Sequence, residues 1–379
     1  MTILFLAHRA PTAPDRGDRI RSFHVLRHLS ARARVHVVAF DEREAPRPDL
    51  PLAGWTVIPR TKSRARALAE ALATGRPASL TAFADPALTA AVAAVSHNRV
   101  YCFSGQMAQH VPAASPLLMD FVDVDSAKFA QLAADAHGPM AWLYAREARL
   151  LARVEHRIAA RADASLFVSD AEAALFRAGG GEGRIIDVGN GIDARHFDPA
   201  SVQPAPGAAG EGPLVVFTGQ MDYQPNIDAV RWFVAEVMPR LPHLRFAIVG
   251  RAPTAAVRAL AGPRVVVTGE VDDTRPWLAA AAACVAPLDL ARGIQNKVLE
   301  AMAMARPVLV TPGAAEGIDH GGTIAVAPRE TFAAALADLL AEPGTHGPSA
   351  RARVLARYDW SARLAPLDEL LDLQRAEAA

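Results

Sequence analysis

The sequence predicts an α/β protein made of two doubly wound parallel sheets. The chain has 379 residues, and at about 150 residues per domain this length favours two domains. Short runs that are apolar throughout recur from end to end, as expected of strands that are buried on both faces of a parallel sheet. Helical patterns separate these runs, and strands that alternate with helices indicate βαβ units.

The predicted strands form two series. The first series has strands at residues 3–8, 35–40, 55–58, 100–104, 117–123, 165–169 and 185–190. The second series has strands at residues 214–219, 245–250, 265–269, 284–288, 308–311 and 323–327. Helical periodicity is clearest at residues 20–29, 139–162, 227–238 and 294–304. The pattern therefore predicts one Rossmann-like sheet in each half of the chain.

Residues 199–213 separate the two series. This stretch is rich in proline and glycine and has no hydrophobic period, which is typical of a linker. We therefore predict a first domain over residues 1–198, a second domain over 214–357, and a C-terminal helix over 358–379 that packs back on the first domain. Ligands of such sheets bind beyond the carboxyl ends of the strands, so the cleft between two facing domains is the expected site.

The composition excludes several classes of protein. Apolar residues make up 51% of the chain, which excludes a disordered or fibrous protein. The 40 basic and 40 acidic residues cancel, so no nucleic-acid partner is expected, because general nucleic-acid binding needs a basic surface. The apolar stretches are shorter than a signal peptide or a span of about 18 residues requires. We therefore expect a cytoplasmic protein, either soluble or peripheral to the inner membrane.

An arginine stripe lies on the predicted helix over 139–162. Its members recur at spacings of three and four residues, which places them on one helix face: Arg146, Arg149, Arg153, Arg157 and Arg161. Two interpretations remain open. The stripe contacts lipid phosphates or an anionic acceptor at a membrane surface, or it is a solvated face that Glu147 and Glu155 neutralise.

The segment 285–310 carries the strongest candidate site. A predicted strand ends there, and a loop that contains Arg292 and Gly293 opens a helix, whose free N–H groups attract phosphate. Lys297 in the first turn adds a point charge for a diphosphate. Glu300, one turn further, suits the hydroxyls of a ribose. The alternative is that Lys297 and Glu300 form an ordinary ion pair on the helix surface.

This segment resembles the donor-binding signature of the retaining glycosyltransferases of family 4, which have the GT-B fold of two facing Rossmann-like domains. In that family two glutamates eight residues apart flank a glycine-containing loop. Glu300 matches the second glutamate, whereas Arg292 stands at the position of the first. The resemblance implies transfer of a sugar, with retention, from a nucleotide-sugar donor to a saccharide acceptor, for which a lipid-linked saccharide is the expected form. It also implies that the second domain binds the donor, that the first faces the acceptor, and that no cofactor or metal is needed.

Other segments resemble the same family in the same order. Residues 4–17 are similar to its first strand and glycine loop, in which Gly17 lets the backbone approach the diphosphate. Residues 217–226, which include Gly219, are similar to the first strand and loop of the donor domain. Arg251 follows another matching strand and would add to phosphate binding, and Val271 lies in the segment expected near the nucleobase.

Two carboxylates, Asp123 and Asp125, follow a strand of the first domain. Asp123-Val124-Asp125 matches the Asp-x-Asp metal-binding motif of the other glycosyltransferase architecture, GT-A, where such carboxylates hold Mg²⁺ or Mn²⁺. Because the chain has two Rossmann-like halves, we prefer a role in orienting the donor sugar or the acceptor, with no metal. His8, after the first strand, is a third candidate for this catalytic set; its alternative is a loop histidine without a role.

The front half narrows the resemblance further. Residues 8–11, 17–22 and 120–129 are similar to the sugar transferases of bacterial PEP-CTERM/exosortase exopolysaccharide clusters. The resemblance implies a role in exopolysaccharide biosynthesis. Two other functions stay open: a nucleotide-sugar epimerase on the same fold, which needs no acceptor, and a non-enzymatic two-lobed sugar or nucleotide sensor.

Overall fold

A computed structural model describes residues 1–12, 17–41, 45–289 and 294–373 of the chain. The chain divides into two compact units. The first unit contains Met1–Asn190 together with the segment that begins at Arg363, and the second unit is Gly191–Ala362.

The first unit is built on a parallel sheet of seven strands. They are β1 (Thr2–Ala7), β2 (Arg34–Asp41), β3 (Gly54–Pro59), β4 (Arg99–Phe103), β5 (Leu117–Val122), β6 (Ala164–Phe167) and β7 (Ile185–Asp187). Their order in the sheet is β3-β2-β1-β4-β5-β6-β7, and every neighbouring pair is parallel. The direction of winding reverses between β1 and β4, which makes the carboxyl ends of these strands the expected place for a ligand.

Helices flank this sheet. They are α1 (Gly17–Ser30), α2 (Arg64–Thr74), α3 (Ala78–Thr81), α4 (Pro86–Ala93), α5 (Asp125–Asp135), α6 (Gly138–Arg161) and α7 (Asp170–Ala178), with a 3₁₀ segment at Gly105–His110. The helical patterns predicted at 20–29 and 139–162 correspond to α1 and α6.

The second unit repeats the plan with six parallel strands. They are β8 (Leu214–Thr218), β9 (Arg245–Val249), β10 (Val265–Gly269), β11 (Ala283–Ala286), β12 (Val308–Val310) and β13 (Ala325–Val326). The order is β10-β9-β8-β11-β12-β13, with the reversal between β8 and β11. All thirteen predicted strands are therefore confirmed, within a few residues at their ends.

The helices of the second unit are α8 (Gln224–Trp232), α9 (Ala255–Arg258), α10 (Arg275–Ala280), α11 (Asn296–Ala303), α12 (Pro312–Ala315), α13 (Phe332–Ala341) and α14 (His346–Arg357). The predicted helix over 227–238 begins as α8 and continues as a wider π-helical turn at Phe233–Val237. The chain then continues through α15 (Trp360–Leu364) into α16 (Pro366–Leu370) of the first unit.

The boundary between the units precedes the predicted linker. Residues just after Asn190 already belong to the second unit, because the Ile192 N–H donates to the carbonyl of Tyr358 at 2.7 Å. The stretch 199–213 is tied to the same unit, where the Ala205 N–H donates to the Pro276 carbonyl at 2.9 Å. Proline and glycine therefore mark an irregular segment packed on the second sheet, and the change of unit falls at Asn190.

Burial explains why the strands were readable from sequence. Solvent does not reach the middle of the central strands, as a strand covered on both faces requires. The wholly buried residues include Ile3, Leu4 and Phe5 of β1 and Phe246, Ala247 and Ile248 of β9. Both cysteines, Cys102 and Cys284, are buried free thiols. Of the helices that the structure describes, none combines the length and the apolar character needed to cross a bilayer.

Candidate functional site

Three strands of the second unit have a glycine at their carboxyl end, so no side chain covers the backbone there. Gly219 follows β8, Gly250 follows β9, and Gly269 ends β10. The Gly219 N–H donates to the Val249 carbonyl at 3.0 Å, and the Gly250 N–H donates to the Gly269 carbonyl at 3.2 Å. A Cβ on Gly250 would lie 1.8 Å from the Gly219 oxygen, and its φ is +149°, so only glycine fits there. The strand ends are therefore packed backbone to backbone.

Lys297 lies beside this glycine edge, in the first turn of α11. Its Nζ donates to Asn226 Oδ1 at 2.5 Å and lies 4.3 Å from the centroid of the Phe217 ring. Asn226 is itself held, because its Nδ2 donates to the Gln220 carbonyl at 2.8 Å. Burial lowers the pKa of Lys297 to about 8, against the opposing influence of Glu300. The ammonium is thus fixed in place by neutral groups.

Glu300 lies one turn further along α11. Burial raises the pKa of its carboxyl to about 7, and Lys297 acts in the opposite direction. The Lys297 ammonium and the Glu300 carboxylate do not come within 4.0 Å of each other. The alternative of an ordinary surface ion pair is therefore wrong: the Lys297 ammonium turns to Asn226 and Phe217 instead.

The remaining donor-site candidates are less complete. Arg251 is exposed, and its guanidinium donates at 3.0 Å to the side chain of Gln220, the residue whose carbonyl holds Asn226. Val271 is half-buried and packs on the core of the second unit. Arg292 and Gly293 lie outside the described residues, so their predicted roles stay predictions. Gly17 is the first residue of α1.

The first unit contains a separate cavity of about 410 Å³. It brings together the three predicted catalytic side chains, with His8 after β1 and Asp123 and Asp125 after β5. His8 lies parallel to the Phe103 ring, with a centroid distance of 5.7 Å. Five further polar residues line the cavity and were not predicted as site residues: Arg21, Ser104, Gln106, Lys128 and Asn190.

Lys128 bridges the two candidate carboxylates. Its Nζ lies 2.6 Å from Asp123 Oδ2 and 3.5 Å from Asp125 Oδ1, and Gln106 Nε2 donates to the other oxygen of Asp125 at 3.1 Å. An ammonium therefore stands where a divalent cation between these carboxylates would stand. Within the described ranges, no group of three or more His, Cys, Asp or Glu side chains is arranged to hold a metal ion.

A buried network supports the strand that carries Asp123. Arg21 pairs with Asp120 through contacts of 2.9 and 3.2 Å, and the Tyr101 hydroxyl donates to Asp120 at 2.5 Å. Asp120 Oδ1 also accepts from the Val122 N–H at 3.2 Å. Val122 has a φ of 71°, which is strained for a β-branched residue. The network thus holds the strained turn that directs Asp123 into the cavity.

The arginine stripe on α6 is not neutralised by its own helix. Glu147 is buried and accepts from the backbone N–H groups of Ala78 and Ser79 at 2.8 and 2.7 Å. Glu155 is buried as well and accepts from the Ser126 N–H at 3.0 Å. The interpretation of a face neutralised by these two glutamates is therefore wrong, because both carboxylates turn inward to helix N-termini.

Lysine and asparagine scarcity is the sequence signal for the unpredicted partners. The chain has only three lysines and four asparagines. Lys297 and Asn226 bond to each other in the second unit, and Lys128 and Asn190 line the cavity of the first. Because this chain uses arginine for nearly all of its basic residues, a lysine or an asparagine is expected to have a specific role more often than usual. This scarcity is the signal in the sequence that points to Lys128, Asn190 and Asn226.

Comparison with known proteins agrees with this geometry. The family model described as glycosyl transferases group 1 matches residues 212–342, the part of the second unit that holds Lys297, Asn226 and the three strand-end glycines. No curated protein sequence matches the chain significantly.

Solved structures match over nearly the whole chain. Sucrose-phosphate synthase from Thermosynechococcus elongatus is 20% identical, with 98% of each chain covered and a TM-score of 0.62. HepE of Anabaena, solved with UDP, is 17% identical, with 98% of this chain and 100% of that chain covered and a TM-score of 0.64. WaaG, described as a glycosyltransferase of lipopolysaccharide biosynthesis, is 18% identical, with 97% and 99% covered and a TM-score of 0.59.

The two parallel sheets, each with its own reversal of winding, and these structural likenesses define the GT-B α/β fold. The predicted fold class is confirmed. The group 1 match over the second unit, together with this fold, supports a glycosyltransferase.

Proposed function

We propose that this chain transfers a sugar from a nucleotide-sugar donor to a saccharide acceptor. The observation that carries the proposal is the state of Lys297, a half-buried ammonium at the start of α11 whose hydrogen-bond partner is a neutral amide. A donor diphosphate supplies the missing anion, and the N-terminus of a helix favours it further. Glu300 has no donor on its carboxylate among the described residues, and it accepts from the ribose hydroxyls.

The nucleotide is the leaving group in this proposal. Lys297 and Arg251 stabilise the charge that develops on the diphosphate, together with the segment of Arg292 and Gly293. The predicted role of Gly17 rests on the resemblance to family 4. Gly219 leaves room for the phosphate beside Lys297, and Val271 supports the loop near the nucleobase. UDP is the first nucleotide to test, since HepE of Anabaena has been solved with UDP and with UDP-glucose.

The first unit orients the reacting sugars. His8, Asp123 and Asp125 line one cavity, where carboxylates and an imidazole accept hydrogen bonds from sugar hydroxyls. We propose retention at the anomeric carbon, with the departing diphosphate taking the acceptor's proton on the same face. The chain then needs to position and stabilise charge rather than supply a nucleophile. Lys128 between the carboxylates favours a reaction without a metal ion or another cofactor.

The finer assignment rests on the resemblance to family 4 and to the PEP-CTERM-associated transferases. We propose a cytoplasmic enzyme of bacterial exopolysaccharide biosynthesis with a lipid-linked saccharide as acceptor. It would contact the inner membrane peripherally through the Arg146–Arg161 face of α6, since the arginines of that face keep their charge uncompensated by Glu147 and Glu155.

Thermal unfolding against UDP, GDP, ADP, dTDP and CMP, each with and without EDTA, tests the donor site. A ligand at about 100 times its dissociation constant adds about 2.7 kcal/mol to the native state. We expect one nucleoside diphosphate to raise the melting temperature whether or not EDTA is present. No shift, or a shift that EDTA abolishes, would contradict the metal-free donor site.

The matching nucleotide sugar then separates transfer from its alternatives. A glycosyltransferase gives a new glycoside with the anomeric configuration of the donor, observed by NMR, and releases the nucleoside diphosphate. An epimerised nucleotide sugar without any acceptor would identify the epimerase instead. Binding of free sugar with neither product would identify the sensor.

A further inference from the structure

A second recess of the first unit, of about 920 Å³, runs along α6 and is open to solvent. One wall comes from residues 75–80, which connect α2 to α3 and include the start of α3, and the other comes from α6. Four arginines line it, Arg76 on the first wall and Arg153, Arg157 and Arg161 on α6. None of the described residues that line this α6 groove is acidic. The groove therefore concentrates positive charge.

The wall that carries Arg76 is pinned to α6. Arg146 donates to the carbonyls of Ala71 and Arg76 at 2.8 and 3.2 Å. Glu147, the next residue, caps the start of α3 through Ala78 and Ser79. Arg146, although it belongs to the arginine stripe, therefore holds the wall rather than an anion. The shape of the groove is therefore fixed, because one wall is α6 itself and the other is hydrogen-bonded to α6.

Its arginines lack acidic partners. In the described part of the chain, the guanidinium groups of Arg76, Arg153, Arg157 and Arg161 form no ion pair. Arg76 donates to Gln109 Oε1 at 2.7 Å, and Arg157 Nε donates to the Arg153 carbonyl at 3.2 Å. Four charges with only neutral partners form a site for an anion, and arginine forks match phosphate oxygens well.

The apolar residues of the groove indicate which class of anion binds there. Leu80, Leu150, Val154 and Ile158 line it between the arginines, so an occupant with an apolar part gains from burial there. Trp142 of the same helix is 62% exposed. An exposed tryptophan on a basic helix is typical of a membrane interface.

We propose that the α6 groove binds the headgroup of an anionic phospholipid, with the phosphate between Arg76 and Arg153 and the start of the acyl chains on the apolar floor. The inference deepens the peripheral membrane contact proposed above and does not depend on the donor site. Arg76 distinguishes this proposal from general attraction between the arginine stripe and a membrane. Arg76 lies outside α6, so binding in the groove needs it, whereas binding by the stripe does not.

The test compares vesicles of equal parts phosphatidylglycerol and phosphatidylcholine with pure phosphatidylcholine vesicles, using co-sedimentation of the full chain. We expect binding to the anionic vesicles alone. Because the guanidinium groups of the groove would bond the headgroup phosphate directly, Arg76→Met and Arg153→Met should each weaken binding about tenfold, more than the loss of one basic residue near an anionic surface. Arg149→Met is the matched control, since Arg149 is exposed on the same helix but does not line the groove.

Equal losses from Arg149→Met and Arg153→Met, or no loss from Arg76→Met, would overturn the groove while leaving a peripheral contact in place. No binding to anionic vesicles would overturn both. Glycerol 1-phosphate, the headgroup phosphate without acyl chains, is expected to compete weakly; full competition at the same phosphate concentration would overturn the lipid assignment. Circular dichroism and the nucleotide-induced thermal shift of each variant separate these outcomes from misfolding.

Discussion

The two units hold their cations in opposite ways. In the second unit, Lys297 donates to a neutral amide and lies over a neutral ring, and burial lowers its pKa to about 8. In the first unit, Lys128 lies between Asp123 and Asp125, and Arg21 is paired with the buried Asp120. In the second unit the cation has no bonded carboxylate, whereas in the first unit both cations are paired with carboxylates.

This difference separates binding from positioning. A half-buried ammonium with no bonded carboxylate is costly in the empty protein, and a bound anion reduces that cost. A cation that already has its carboxylates contributes to the geometry of a site rather than to its affinity for an anion. We therefore expect variants of the second unit to change nucleotide affinity and variants of the first unit to change stability or sugar placement.

Arg21→Met should produce the largest effect, on stability. It leaves the Asp120 carboxylate buried beside Tyr101 without its cation, and breaking a buried pair in this way costs about 3–5 kcal/mol. Urea unfolding followed by circular dichroism measures the loss. Arg149→Met, at an exposed position, should stay within about 0.5 kcal/mol of the native protein. A loss for Arg21→Met no larger than that of the control would contradict the role of the network.

Lys297→Met should weaken nucleotide binding about 10- to 100-fold, the range expected for a hydrogen bond to a charged group. Isothermal titration calorimetry with the nucleotide identified by the thermal screen measures it. The unliganded variant should be no less stable than the native protein, because the change removes a costly buried ammonium. Lys128→Met, which removes the paired lysine of the first unit, should leave affinity unchanged. A similar loss from both variants would erase the distinction between the two units.

The pH dependence of affinity tests the same lysine. The diphosphate binds the ammonium form, and the pKa of Lys297 in the empty site is about 8. Affinity should therefore fall by up to about tenfold per pH unit above that value. Lys297→Arg keeps its charge and should remove this fall. A pH-independent affinity in the native protein would argue against Lys297 as the ligand of the phosphates.

The stability of the unliganded protein should change with pH in the opposite direction. The pKa of Lys297 is about 8 in the fold against 10.5 for an unperturbed lysine, so between these values the unfolded chain binds more protons. Stability from this group should therefore rise as pH increases through that window. Urea unfolding of the native protein and of Lys297→Met, compared across this range, isolates the contribution.

Gly219→Ala should have the smallest effect on affinity, about fivefold, at the lower end of the cost of overpacking. A Cβ at this position would lie 2.8 Å from Asn226 Nδ2 and 3.2 Å from Lys297 Nζ, so both side chains need to shift. Gly262→Ala is the control in the same unit, because no atom lies within 4 Å of its added Cβ. Unchanged affinity in Gly219→Ala would mean that Asn226 does not set the position of Lys297.

The sequence alone determined the two sheets and the position of Lys297 and Glu300. Strands buried on both faces are apolar throughout, so their number and place were readable without partners. Lys297 and Glu300 follow a strand and lie within the first turns of one helix, which is local information. The order of the motifs also predicted the GT-B fold, because each motif belongs to a strand end of that architecture.

Only the tertiary structure decided which charges are compensated. Lys297 meets Asn226 from 71 positions away, and Arg21 meets Asp120 from 99 positions away; no helical or strand period relates such residues. The same holds for Glu147, whose place on α6 suggested an arginine partner but whose carboxylate caps α3. Ion pairing follows from distances of a few ångströms between side chains, and the sheet order that creates those distances is a property of the folded chain.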